Sequence, residues 1–445
     1  MLQLRSLLLA TAVVGLAACS DDVVQPDQSP SPDAPLTLRA VRSNPGPEQV
    51  VPGEVVVKLR AGAEAQVVGK AHGLALGSRG YRDAFVVLRG AAGSERALAA
   101  ALQRDSRVVY AEPNYLRQPT GAVDPKLWAF YNPGGLNMLF TTGKSKGKAL
   151  PSSYASTLDA DEDAGPAGQT GAYGAGGSSV VIGSIDTGVD SDHPEFLSGQ
   201  LIKGQDWYNN DADPEDDDGH GTHTTGTMVG RTVGIAGVSG AGSNIRVLVQ
   251  KVCGRRGCPT AAIVSAIRAA ADYPGMVAMN LSLGGSSESQ AEKDAISYAT
   301  GKNVLVIASA GNDGTTTVSC PACDPNAISV AALTWSSALA PYSNSGSGLD
   351  ISAPGGSCYS NTTPEGCIYS AFLGGGYAWE QGTSMAAPQV TGTAGVVASK
   401  TTLRGGSLRS RILGTADGLG APNTFGAGRL NTYRAVTNSA LPAGQ

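Results

Sequence analysis

The sequence predicts a turn-rich α/β protein preceded by a small α+β unit. Apolar runs such as Val180–Ile185 and Val304–Ala308, followed by glycines or polar turns, alternate with small-residue segments of helical spacing. That is the pattern of strands buried on both faces. The 60 glycines against 6 phenylalanines point the same way, toward a turn-rich chain whose core packs small residues. The character of the chain also changes twice, at Val50 and again at Ser178, which marks two folded units. With 445 residues, 41% hydrophobic and 16% charged, there is enough chain for one large domain and one small one. A net charge of −5 with no basic patch argues against nucleic acid as a partner.

Residues 1–19 begin with one positive charge, Arg5, and an apolar run too short to span a bilayer as a mature helix. This reads as an export signal. Leu16-Ala17-Ala18-Cys19 resembles the lipobox of bacterial lipoproteins, which makes Cys19 the expected lipidated residue and the membrane an expected partner through that lipid. Ser20, rather than Asp, would permit outer-membrane sorting in a Gram-negative host. The alternative is an ordinary signal peptide whose cleavage site abuts a cysteine. Residues 20–49, rich in Pro, Ser, Asp and Gln, read as a flexible tether.

In residues 50–118, GEVVVKLR, AFVVLRG and VVYAEPNYLR read as strands and SERALAAALQRD as a helix. The alternation, closing on Tyr110-Ala111-Glu112-Pro113-Asn114-Tyr115, resembles the inhibitor I9-type propeptide of subtilisin-like proteases. A ferredoxin-like fold follows from that resemblance, as does a C-terminal tail laid across the substrate cleft until it is cut. A generic interaction domain is the plainer alternative. Gly143-Lys144-Ser145-Lys146-Gly147 matches the nucleophile string of esterases, but it neither follows an apolar strand nor opens an apolar helix.

Residues 119–440 carry the chemistry. Asp186 closes the buried run Val180–Ile185, and functional side chains gather at the carboxyl ends of parallel strands. His220, between two glycines in DDDGHGTH, is placed to project an imidazole base into a cleft, whereas His223 and His193 read as packed or structural. Asn312 ends another buried run and offers an uncharged N–H donor to a developing oxyanion. Ser384 stands where a glycine-flanked turn enters an apolar helix, close to that helix's positive end. Each of these has an ordinary reading alone: turn former, packed ring, C-cap, N-cap.

Together they resemble the motif set of the subtilisin (subtilase) family, in its order Asp, His, Ser. The motifs are DTG at 186–188, GHGTH at 219–223, NLSLGG at 280–285, SAGN at 309–312 and GTSMAAP at 382–388, with a closing GAGRLN at 426–431. The resemblance implies a doubly wound parallel sheet with helices on both faces. It implies Ser384 as nucleophile, His220 as base, Asp186 as its orienting carboxylate, and Asn312 with the Ser384 N–H as the oxyanion hole. Ser282, Leu283 and Gly284 would line the substrate groove, and Ala310 and Gly311 a wall of the pocket for the residue before the cut. Thr224 and Thr225 depart from the family's usual Val-Ala, a change expected to affect packing only.

The acidic loop before His220 suits Ca²⁺, a structural ion common in the family, with Asp211, Asp213 and Asp216 as candidate ligands and a solvated loop as the alternative. No catalytic cofactor is expected. Six cysteines, 253, 258, 320, 323, 358 and 367, form three sequence-local pairs expected as disulfides in an oxidising compartment. Zinc lacks a second CxxC and a nearby His. The function expected is an exported, self-processing serine endopeptidase acting on proteins or peptides and held by its own propeptide. Its rivals are an inactive surface binding module of the same fold and an esterase using Ser145.

Overall fold

The computed structural model describes residues 49–119, 122–123, 177–231, 244–334, 337–357 and 367–438. The export signal, Cys19, nearly all of the tether, Ser145 and Cys358 lie outside them.

The small unit comprises β1 (Val50–Leu59), α1 (Ala65–Ala71), β2 (Ala75–Arg79), β3 (Val86–Arg89), α2 (Glu95–Leu102) and β4 (Val108–Pro119). Its strands run antiparallel in the order β4-β1-β3-β2. Strand alternation divides its apolar residues between two cores. Val55, Val57, Val86 and Leu88 pack with Ala65, Val68, Ala99 and Leu102 of its own helices. Val56, Val87 and Tyr110 join the core of the large unit. β2, with sequence ALGSR, is a half-exposed edge strand whose residues carry no strand signature.

A two-residue strand, β5 (Ala122–Val123), follows. The large unit then runs β6 (Val180–Asp186), β7 (Leu201–Asp206), α3 (His220–Val229), β8 (Ile245–Lys251), β9 (Cys258–Pro259) and α4 (Thr260–Ala271). It continues with β10 (Met276–Leu281), β11 (Leu283–Gly284), α5 (Gln290–Gly301), β12 (Leu305–Ser309), β13 (Ala327–Leu333) and β14 (Ile351–Pro354). Last come β15 (Ile368–Phe372), β16 (Gly376–Gln381), α6 (Thr383–Lys400), α7 (Gly405–Gly414) and two short helices, Pro422–Phe425 and Thr432–Thr437.

Seven strands form one parallel sheet in the order β14-β13-β12-β10-β6-β8-β7. Alternation along β6 sends Val180 and Ile182 toward the core shared with α3 and α6, and Val181 and Ile185 toward the core shared with α4 and α5. Helices on both faces make the sheet doubly wound. α6 is buried along almost its whole length, and a Cβ on Gly395 would come within 3.2 Å of Ile182, so a small residue lets helix and sheet close together.

The small unit docks on the N-terminal ends of α4 and α5. Glu112 accepts from Ser289 Oγ at 2.7 Å and from the N–H groups of Gln290 and Ala291 at 2.8 and 3.0 Å. Asn114 Oδ1 accepts from Ala261 N–H at 3.1 Å. Both supply acceptors to donors that a helix cannot satisfy internally, and the Glu112 charge suits the positive end of α5.

Candidate active site

Asp186 is the last residue of β6 and is buried. His220 opens α3 after Gly219, whose φ of 103° and 2.3 Å clearance from its would-be Cβ to the Phe372 ring leave room only for glycine. This brings His220 Nδ1 to 2.7 Å from Asp186 Oδ1. The same oxygen accepts the Thr187 N–H at 2.8 Å. Burial, the largest influence on His220, favours the neutral ring. The charge and hydrogen bond of Asp186, with Glu380 and Asp218 farther off, outweigh it and raise the pKa to about 9.

The threonines after His223 do more than pack. Thr224 Oγ1 lies 3.1 Å from Asp186 Oδ2 and 3.2 Å from the Gly221 carbonyl, and the carboxylate charge makes the first the stronger acceptor. Thr225 Oγ1 is 2.8 Å from Ser184 Oγ. The expectation of a packing change alone is therefore corrected, because Thr224 holds the second oxygen of Asp186. Thr224→Val should lower kcat by about tenfold with little change in KM, since a hydrogen bond to a charged group is worth about 1.5–3 kcal/mol and acts here only through His220. Steady-state kinetics on a peptide amide checks this.

His223 is fully buried, with Nε2 3.2 Å from the carbonyls of both Ile368 and Ala378. Burial and the neighbouring His220 charge push its pKa down to about 3, so it stays neutral as a structural ring. His193 Nε2 is 2.6 Å from the Gly376 carbonyl.

Ser384 is the second residue of α6 and is buried. Its Oγ donates to the Ser282 carbonyl at 3.0 Å, Ser282 Oγ donates back to the Ser384 carbonyl at 2.8 Å, and Asn280 Nδ2 steadies Ser282 Oγ at 2.9 Å. His220 Nε2 is buried without a hydrogen-bond partner. That nitrogen is therefore available to accept a hydrogen bond from a hydroxyl, the role a general base needs.

Asn312 Oδ1 accepts from Thr383 N–H at 2.9 Å and Thr383 Oγ1 at 2.8 Å, and that hydroxyl accepts from Gly311 N–H at 3.2 Å. With Oδ1 committed, Nδ2 is the end of the amide set to donate. Thr383 is thus a positioning residue that the motif contained but spacing did not single out. Ala310 is fully buried and Gly311 has φ 105°.

The proposed calcium ligands do not converge. Asp216 Oδ1 accepts from Thr187 Oγ1, Asp218 N–H and Gly219 N–H at 2.8–3.1 Å, while Oδ2 accepts from Thr222 N–H and Oγ1 at 2.9 and 2.6 Å. Its work is to fold the turn that presents His220. Asp213 pairs with Lys203 at 3.0 Å, and Asp211 Oδ1 accepts from Asp213 N–H at 2.9 Å. Among the described residues no group of three or more His, Cys, Asp or Glu could hold a metal ion. This arrangement gives no support to calcium at Asp211, Asp213 and Asp216.

Disulfides join Cys253 to Cys258 and Cys320 to Cys323, as neighbour pairing predicts, and Cys367 is also disulfide-bonded. The first loop leads into β9. The second pairs its Cys320 backbone with Gly285.

β9 and β11 flank an extended segment of the chain itself. Leu116 and Arg117 pair with Pro259 and Cys258, and Gln118 and Pro119 pair with Gly284 and Leu283, all antiparallel. Beyond Ser384, Ala122 and Val123 pair with Gln381 and Glu380. Leu283 and Gly284 thus pair with the end of the small unit.

Comparison with known proteins agrees with this geometry. The subtilase family profile matches residues 177–428, and that of the fervidolysin N-terminal prodomain matches residues 39–114. A thermophilic serine proteinase of Bacillus sp. (strain AK1) is 33% identical over 413 residues, covering 91% of this chain and 92% of the relative. Thermitase of Thermoactinomyces vulgaris is 37% identical over 262 residues, 58% of this chain and 89% of thermitase. Among solved structures, fervidolysin from Fervidobacterium pennivorans aligns with a TM-score of 0.67 at 24% identity, over 89% of this chain and 62% of fervidolysin, a likeness of fold. The chain belongs to the subtilase family, as a subtilisin-like serine endopeptidase that carries a fervidolysin-type prodomain.

Proposed function

We propose that this endopeptidase is exported, cuts itself between its prodomain and its catalytic unit, and works through Ser384, His220, Asp186 and Asn312. The observation that carries the reading is the path of its own chain. Pro119 pairs with Leu283, the neighbour of the Ser282 whose carbonyl meets Ser384 Oγ, and Ala122 pairs with Gln381, just ahead of Ser384, so the cut is expected at one of the three peptide bonds between Pro119 and Ala122. The export signal is supported by the apolar run after Arg5, and lipidation at Cys19 by the lipobox resemblance.

In the first step Ser384 Oγ adds to the scissile carbonyl while its proton passes to His220 Nε2. Asp186, held by Thr187 and Thr224, stabilises the imidazolium that forms. The tetrahedral oxygen takes hydrogen bonds from Asn312 Nδ2 and the Ser384 N–H. His220 then gives its proton to the leaving amine, and water repeats the cycle on the acyl-enzyme. Before cleavage the prodomain tail fills the groove and excludes substrate. After it, the catalytic unit is no longer covalently joined to a lipid at Cys19.

Intact mass of purified wild type tests the cut: a catalytic unit beginning at residue 120, 121 or 122 supports it, and an active enzyme still intact from Cys19 onward contradicts it. Asn312→Ala should reduce kcat by about 100- to 1,000-fold, the cost measured for the equivalent donor in subtilisin itself. A drop confined to KM would remove Asn312 from the oxyanion hole.

A further inference from the structure

We propose that Glu292 makes this enzyme select substrates with an arginine at one position shortly before the cut bond, and that Arg117 of its own prodomain is the first arginine it holds. The inference rests on the self-cleavage reading above, which places residues 116–119 in the substrate groove.

Arg117 lies in the middle of a three-stranded arrangement, paired with Cys258 on one side and one residue from Gln118, which pairs with Gly284 on the other. Alternation turns Gln118 out to solvent and Arg117 inward, where it is 1% exposed despite its size. Its guanidinium makes a two-pronged contact with Glu292 of α5, Nε to Oε1 at 3.1 Å and Nη2 to Oε2 at 2.7 Å, and Nη2 also donates to the Ser287 carbonyl at 2.8 Å. Thr260 Oγ1 donates to Glu292 Oε1 at 3.1 Å from the other wall. A Cβ on Gly285 would stand 2.8 Å from Arg117 Nη1, so the floor admits the guanidinium because it is glycine.

The pocket itself belongs to the catalytic unit. Once the prodomain tail leaves, Glu292 keeps one hydroxyl donor from Thr260 but loses its cation. Water can solvate the carboxylate while the pocket stands open, but a polypeptide that seals it again strips that water away, and a buried carboxylate without a cation is costly, so binding favours a chain that brings one back. The planar fork matches arginine rather than lysine, whose ammonium is a single point of charge. An apolar side chain would fill the volume and leave Glu292 unpaired.

The test is a positional scan with matured wild-type enzyme on peptides carrying Arg, Lys, Leu or Ala at each of the six positions before a fixed cut site. The expected result is a preference for Arg over Ala of about 100-fold in kcat/KM at a single position, three to five residues before the cut, with Lys intermediate. Glu292→Gln should collapse that ratio toward unity, and Glu292→Asp, which keeps the charge, should retain part of it. An enzyme that digests casein and these peptides but shows a flat or apolar preference at every upstream position would overturn the arginine inference while leaving the endopeptidase reading intact. Failure of wild type to cut any peptide would overturn both. If Glu292→Gln does not fold, the wild-type scan and Glu292→Asp still decide the matter.

Discussion

Ser384→Ala is expected to remain full length after export and to lose about 10⁶-fold in kcat on peptide substrates, the loss known for removing the nucleophile of subtilisin itself. No nearby side chain can substitute. The neighbouring hydroxyl of Ser282 donates to the Ser384 carbonyl, and that of Thr383 to Asn312, so both are committed to positioning. The fold should be unchanged, because the hydroxyl lost at the head of a buried helix gives up its hydrogen bond to the Ser282 carbonyl, worth about 1 kcal/mol. A variant that still matures unaided would place the nucleophile elsewhere, and the Ser145 alternative would return.

Asp186→Asn should lower kcat by about 10⁴-fold and shift the pH profile in a definite direction. His220 acts as a base only when neutral. With its pKa raised to about 9 by Asp186 against the opposing pull of burial, wild-type kcat/KM should climb with pH through a midpoint well above the ordinary imidazole range. Removing the carboxylate charge leaves burial as the larger influence, so the residual activity of the variant should have its acid limb at lower pH than wild type. An unchanged limb in the two proteins would mean that the group titrating in the profile is not His220.

The elements that carry the candidate site were readable from the chain, because each candidate residue closes or opens an element with its own local signature. Asp186 ends an apolar run, His220 sits between glycines, and Ser384 follows Gly382-Thr383 into an apolar helix. The parts that were not readable depend on partners far along the chain or on very short elements. Nothing near Arg117 or Glu292 announces their pairing, since 175 positions separate them and an acidic residue in the first turn of a helix is ordinarily explained by the helix dipole. β5, β9 and β11 are two residues each and exist only because a second segment pairs with them.

Two expectations meet the same limit. Asp216 reads as a calcium ligand and Thr224 as a packing residue because composition states what a side chain can do, not which donors reach it first. Asp216 is saturated by five protein donors around the His220 turn, and the Thr224 hydroxyl has a buried carboxylate within reach one turn from the base.

Labelling matured wild type with a fluorophosphonate and mapping the adduct by tandem mass spectrometry shows which serine is the nucleophile. Ser384 must be both activated and reachable once the prodomain tail is gone, so one adduct is expected, on the peptide containing Gly382-Thr383-Ser384. An adduct on Ser145, or none on an enzyme that still digests casein, would contradict it.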